Sequence, residues 1–205
     1  MEEKELYIIE KVGELFKKYG IKSVSMDDIA QQLSISKKTL YQYFKDKADL
    51  VTKVVNSHNC EKDQKFLDIE NSNMNAIDAL IEVSKHVIEM LKSINPPILY
   101  DLRKYYPELT KELIINRKEH VFKNIKNNLL KGISEGLYRE DINSDVISAI
   151  YIKRMDDIIF EDEMHQLNLP QHELFTQLFV YHIRGIVSNK GLKYFENKIN
   201  NEPLI

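Results

Sequence analysis

Between Ser25 and Phe44 the chain concentrates side chains suited to one kind of chemistry. If Leu40 and Phe44, four residues apart, point inward, then Lys37, Lys38, Thr39, Gln42 and Tyr43 form an outward face of cations and hydrogen-bond donors. Lysine neutralises phosphate and releases its counterions, the hydroxyls of Thr and Tyr bond phosphate oxygens, and apolar atoms reach a thymine methyl. This set reads as recognition of duplex DNA, whereas a lone Tyr or Lys on such a helix would read as ordinary amphipathic packing.

Other constellations are weaker. Asp157, Glu161 and His165 recur every four residues, with Asp156, Asp162 and Glu163 nearby, and could hold a metal on one helical face. The competing reading is a solvated acidic face. A helical-bundle metal-binding oxidase, the alternative function, needs carboxylate-x-x-His pairs from two helices, and only Asp162 to His165 has that spacing. His58 and Cys60 are two apart and face different directions. With no Gly-rich phosphate loop and no Ser-centred elbow, the expectation is a non-enzyme without cofactor or bound metal.

The elements that must position the basic helix are punctuated clearly. Gly20 stops a first helix carrying Leu6, Ile9 and Phe16, Ser25 with Asp28 opens a second, and Ser36 opens the short Ser36 to Phe44 segment. Asp46 caps a long helix reaching Phe66 and Leu67. Asn95-Pro96-Pro97 ends the helix begun near Asn75, and a short piece with Tyr100, Tyr105 and Tyr106 precedes a helix from Pro107 to about Ser134. Ser144 opens another to about His165, and a last stripe runs through Leu174, Phe175, Leu178, Phe179, His182, Ile183 and Ile186 toward Gly191, with a loose tail expected after it. The pattern predicts about nine helices and an all-α fold.

Of 205 residues, 43% are apolar and 30% charged, enough for a globular core and too apolar for a disordered tail. Net charge is -3, which argues against a surface that coats nucleic acid everywhere. Residues 1 to 53 nevertheless carry ten Lys against nine acids, and Ser34 to Lys53 holds five Lys against Asp46 and Asp49. A small basic patch sits on a weakly acidic chain. The single cysteine forms no internal disulfide, the acidic N-terminus is unlike a signal peptide, and no apolar run approaches the length of a membrane span. A cytoplasmic protein with no membrane partner is the expectation.

The segment from Ser25 to Phe44 has helix-turn-helix spacing. It resembles the TetR family of bacterial transcriptional regulators through Leu15-Phe16, Gly20, the run Ser25 to Ala30, Ile35-Ser36, and above all TLYQYF followed by Lys47. GLYRED at Gly136 and RGIVSNKG at Arg184 extend the likeness downstream. The resemblance implies that Lys37, Lys38, Thr39, Tyr41 and Tyr43 belong to the DNA-reading helix and that Ser25 and Lys47 hold backbone phosphates. For Lys47 this suits a cation at a helix start, whose free N–H groups also attract phosphate. The chain departs from the family at Ser34 and Lys38, where glycines are common, and at Lys11 and Val12, where small residues are usual.

The resemblance further implies a helix-turn-helix domain over residues 1-50, joined by a long helix to a ligand-binding and dimerisation domain over 51-205. Double-stranded DNA, a second copy of the chain and an unidentified, largely apolar small molecule are the expected partners. Ile150, Phe175, Leu178, Phe179 and Ile186 are candidates for the homodimer interface, each equally readable as core. His86, Met90, Tyr100, Arg103, Tyr105, Tyr106, Arg117 and Phe122 are candidates for the ligand pocket, although arginines such as Arg103 and Arg117 are far more often solvated or salt-bridged surface groups. The expected function is a repressor bound to a near-palindromic operator and released by its ligand.

Overall fold

Helix caps begin and end most of the elements. The computed structural model describes residues 3–93, 95–160 and 169–202, and all side chains within them except those of residues 58–63, 159 and 160. The helices are α1 (Glu3–Tyr19), α2 (Met26–Gln32), α3 (Lys37–Tyr43), α4 (Lys47–Glu70), α5 (Ala76–Lys92), α6 (Pro96–Tyr105), α7 (Pro107–Ser134), α8 (Ser144–Phe160), α9 (Gln171–Ile186) and α10 (Asn189–Asn201). The all-α expectation holds. α8 opens at Ser144 as expected, and Asn143 caps it, its side chain accepting from the amides of Asp145 at 3.0 Å and Val146 at 3.2 Å.

The chain divides into two compact units, residues 1–65 with 95–115, and residues 66–94 with 116–205. This cuts differently from a boundary at residue 50. α6 and the start of α7 fall in the unit that holds the helix-turn-helix. There, Ile8, Ile9, Val12, Phe16, Ile29, Leu40, Phe44 and Leu50 bury a core joined by Leu102 of α6. Val12 is a core residue, and Lys11 stays outside, 3.0 Å from Glu14.

In the second unit α5, α7, α8, α9 and α10 enclose a separate core that includes Phe175, Phe179, Ile183 and Phe195. From Gly191 to Asn201 the tail is not loose but helical. Ser188 caps α10, and Phe195 is fully buried, so an amphipathic helix closes this unit where the sequence suggested fraying. Gly191 does not terminate a helix but permits a close approach. A Cβ there would stand 1.9 Å from the Leu137 carbonyl oxygen. The two downstream motifs meet at this point, since the Arg139 amide donates to Ile186 O and the Ser188 amide to Leu137 O, both at 2.9 Å.

The buried His182 ring lies 4.5 Å from the Tyr151 ring, with no hydrogen-bond partner for Nε2 among the described residues. Burial lowers its pKa from 6.5 to about 4. The folded state therefore binds fewer protons than the unfolded state between those values, so stability falls as pH drops through that window. The expected loss is at most about 1.4 kcal/mol per pH unit. Urea unfolding at a series of pH values checks this, and His182→Gln should remove that part of the slope.

Candidate nucleic-acid interface

Three short motifs hold α2 and α3 rigidly. Ser25 and Asp28 form a reciprocal capping box: the Asp28 amide donates to Ser25 Oγ at 3.2 Å, and Asp28 Oδ2 accepts from the Ser25 amide at 2.8 Å. The Ser25 hydroxyl also donates to Asp28 Oδ2 at 2.6 Å, and these bonds hold the Asp28 carboxyl below its usual pKa. After α2 the Ser34 amide bonds Gln31 O at 3.1 Å and the Ile35 amide bonds Ala30 O at 3.0 Å. That double bond is a Schellman motif, and Ser34 occupies its left-handed position at φ 53.

The glycine usual in this turn is thus replaced by a residue that tolerates the same backbone at some strain. Ser34→Gly should raise stability by up to about 1 kcal/mol, since a left-handed non-glycine residue costs roughly 1–2 kcal/mol and glycine returns part of that as unfolded-state entropy. A thermal melt measures it, and a lower melting temperature would contradict the strain.

Ser36 opens α3 by accepting from the Thr39 amide at 3.0 Å, and its hydroxyl lies 2.8 Å from Thr39 Oγ1. Leu40 and Phe44 are buried as the spacing required, which leaves Lys37, Lys38, Tyr41 and Gln42 exposed and Thr39 half-buried. Tyr43 departs from the outward set, because its ring packs against the core. Lys37 reaches Asp27 at 2.5 Å, whereas Lys38 makes no ion pair among the described residues. The exposed polar edge of α3 is therefore formed by Lys38, Tyr41 and Gln42, with Thr39 half-buried beside them.

Lys47, the first residue of α4, points its ammonium at the α1–α2 turn. It donates to Ile21 O at 2.7 Å and to Lys22 O at 3.4 Å, which leaves one of three donors for an outside acceptor. Burial lowers its pKa, and the charges of Asp101 and Asp28 oppose that shift. Asp101 of α6 accepts from the Lys22 amide at 2.8 Å, and Asn95 Nδ2 donates to Lys17 O at 2.8 Å. No local signal in the sequence marks these pairings, whose partners lie 79 and 78 residues apart.

Residues 8–54 match the family described as bacterial regulatory proteins, tetR family. The matched segment holds α2 and α3 and ends in α4. The chain is 32% identical over 100 residues to an uncharacterised HTH-type transcriptional regulator of Bacillus subtilis (strain 168), YvaF, a match that covers 48% of this chain and about half, 52%, of that protein. A second from the same organism, YhgD, is 20% identical over 184 residues, or 89% of this chain and 96% of that one. In fold the chain resembles a transcriptional regulator from Cytophaga hutchinsonii ATCC 33406, with TM-score 0.75 and 18% identity over 91% of this chain and all of the other.

The remaining site expectations are redistributed. Tyr100, Arg103, Tyr105 and Tyr106 lie in the unit that contains the helix-turn-helix, and Tyr106 packs on its core. His86, Met90, Arg117 and Phe122 lie in the other unit. The His86 ring meets Phe66 edge-on at 4.9 Å. Arg117 pairs with the buried Asp156, which Lys118 also reaches at 2.7 Å. Of the metal candidates, Asp157 pairs with Lys153 at 2.9 Å and Arg154 at 3.3 Å, while Glu161, Asp162, Glu163 and His165 fall outside the described residues, as do the side chains of His58 and Cys60. Among the described residues no three His, Cys, Asp or Glu side chains are grouped to hold a metal, and no helix is long and apolar enough to cross a membrane.

Phe175, Phe179 and Ile186, candidates for the dimer interface that read equally as core, fall on the core side. They lie in the core of a single chain, with at most 2% of their surface exposed. Leu178 is half-buried and Ile150 is 53% exposed. The most apolar edge of this helical stripe, Leu174, Phe175, Phe179, Ile183 and Ile186, faces inward.

Proposed function

We propose that this regulator is a repressor that binds a near-palindromic operator as a homodimer and leaves it when a small molecule binds. The observation that carries the reading is the exposed polar edge of α3, fixed by caps on both sides of a rigid turn. A single α3 touches few base pairs, and a two-fold dimer presents two copies to half-sites about one helical turn apart. Lys38, Thr39, Tyr41 and Gln42 contact base edges, while Ser25, Lys37, Tyr43 and the free donor of Lys47 contact the backbone. A protein that works on DNA of a bacterial cell works in the cytoplasm.

The exposed face of the packed pair α8 and α9 is the dimer surface. Val146 and Ile150, one turn apart on α8, are 51% and 53% exposed, and Tyr181 on α9 is 82% exposed. Gly185, one turn beyond Tyr181, has nothing within 4 Å of where a Cβ would be, so a second helix approaches closely there. The ligand sits in the second unit with its apolar body against His86, Met90 and Phe122. It acts by favouring a dimer state whose two α3 helices no longer match the half-sites.

Lys47→Ala should lower affinity for every duplex by a similar factor, of order tenfold, because phosphate contacts carry no sequence information. Lys38→Ala and Thr39→Ala should instead change the ranking of operator variants by roughly 1–3 kcal/mol at the affected base pair. Fluorescence anisotropy on a panel of single-base operator variants separates the two patterns. Wild-type affinity in all three proteins would contradict the assignment of α3.

A further inference from the structure

The α1–α2 turn and α6 build a second basic surface next to the proposed interface. Lys22 of that turn and Lys104 of α6 stand there with the Asp101 carboxylate, on a chain whose net charge is -3. The Lys22 and Lys104 ammonium groups converge on one ring, lying 4.8 Å and 5.6 Å from the centre of Tyr105. Lys104 also donates to Tyr100 Oη at 2.7 Å. Stacking on exposed tyrosine rings holds both cations in place while leaving them open to water, at little cost in further ordering when an anion arrives. The surface is continuous with the proposed phosphate contacts. Lys22 lies three residues before Ser25, its carbonyl accepts from Lys47, and its amide bonds Asp101 of α6.

We propose that Lys22 and Lys104 hold DNA backbone phosphates next to those held by Ser25 and Lys47, so that α6 extends the electrostatic footprint beyond the helix-turn-helix. The inference rests on the proposed operator binding. The occupant is the duplex backbone because the cations lie in the same compact unit as α3, at the turn that leads directly into α2. Asp101 is the positioning residue: its carboxylate fixes the Lys22 backbone while the two ammonium groups face outward.

The test measures operator binding across a salt series for the wild type and the pair Lys22→Gln with Lys104→Gln. Each phosphate contact contributes about 0.9 to the slope of log Kobs against log salt, so two contacts in each protomer of a dimer predict a slope shallower by roughly 3 to 4. The ratio of specific to non-specific affinity should stay the same, since these contacts read no sequence. Lys22→Arg with Lys104→Arg, which keeps charge and stacking, should retain the wild-type slope. Lys104→Gln alone, which alters only a side chain resting on exposed rings, should give about half the change. An unchanged slope in both glutamine proteins overturns the proposal, as does a slope lost equally in the arginine pair. A wild type that binds no duplex in a salt-dependent way overturns both this inference and the operator reading.

Discussion

Phe179→Ala should destabilise the folded chain by about 3–5 kcal/mol, the range for truncating a buried phenylalanine. For a domain of this size that lowers the melting temperature by on the order of 10 °C. The ring is fully buried, 6.4 Å from both the Phe175 and Phe195 rings, so its removal leaves a cavity walled by α9 and α10 that close-packed neighbours fill only in part. The effect should not depend on protein concentration, because the contacts lie within one chain. Were Phe179 an interface residue, truncation would leave the protomer's stability almost untouched and shift the dimer equilibrium instead. Thermal melts at two concentrations tenfold or more apart distinguish these outcomes.

Ile150→Asp should do the opposite. At 53% exposure the residue contributes little to one protomer, and the substitution should change its stability by no more than about 0.5 kcal/mol. In a two-fold interface the substitution occurs twice, and each copy buries an unpaired carboxylate. A cost of roughly 3 kcal/mol or more to association follows, at least 100-fold in the dimer dissociation constant. Sedimentation should show monomers at concentrations where the wild type is dimeric, and operator affinity should fall at least as steeply, because one α3 reads a single half-site. An Ile150→Asp protein that stays dimeric and binds the operator normally would place the interface elsewhere.

The parts of the fold legible in the sequence are those governed by local chemistry. Caps at Ser25, Ser36 and Asp46, the stop at Gly20 and the inward pair Leu40 and Phe44 each act within a few residues, and each recurs in the structure. What was hidden depends on distant partners. Gly191 reads as a helix stop until Leu137 is seen against it, and Phe179 reads equally as core or interface until α5 and α10 close around α9. The short α6 shows its Asn95-Pro96-Pro97 start plainly, yet its attachment to the helix-turn-helix depends on Asp101 and Lys22 meeting across 79 residues. The basic edge of α3 was visible because one short helix carries all of it. Lys22 and Lys104 were not, because two separate segments contribute them.

The most direct test of the central claim is a titration of the purified protein against the DNA upstream of its own coding sequence, in a gel shift with excess non-specific competitor and a series of salt concentrations. The account predicts a specific complex that contains two protomers, weakens steeply with salt, and loses its preference for the operator when Lys38 and Thr39 are replaced by alanine. A complex no stronger than that with competitor DNA, or one whose preference survives both replacements, would contradict recognition of an operator by α3.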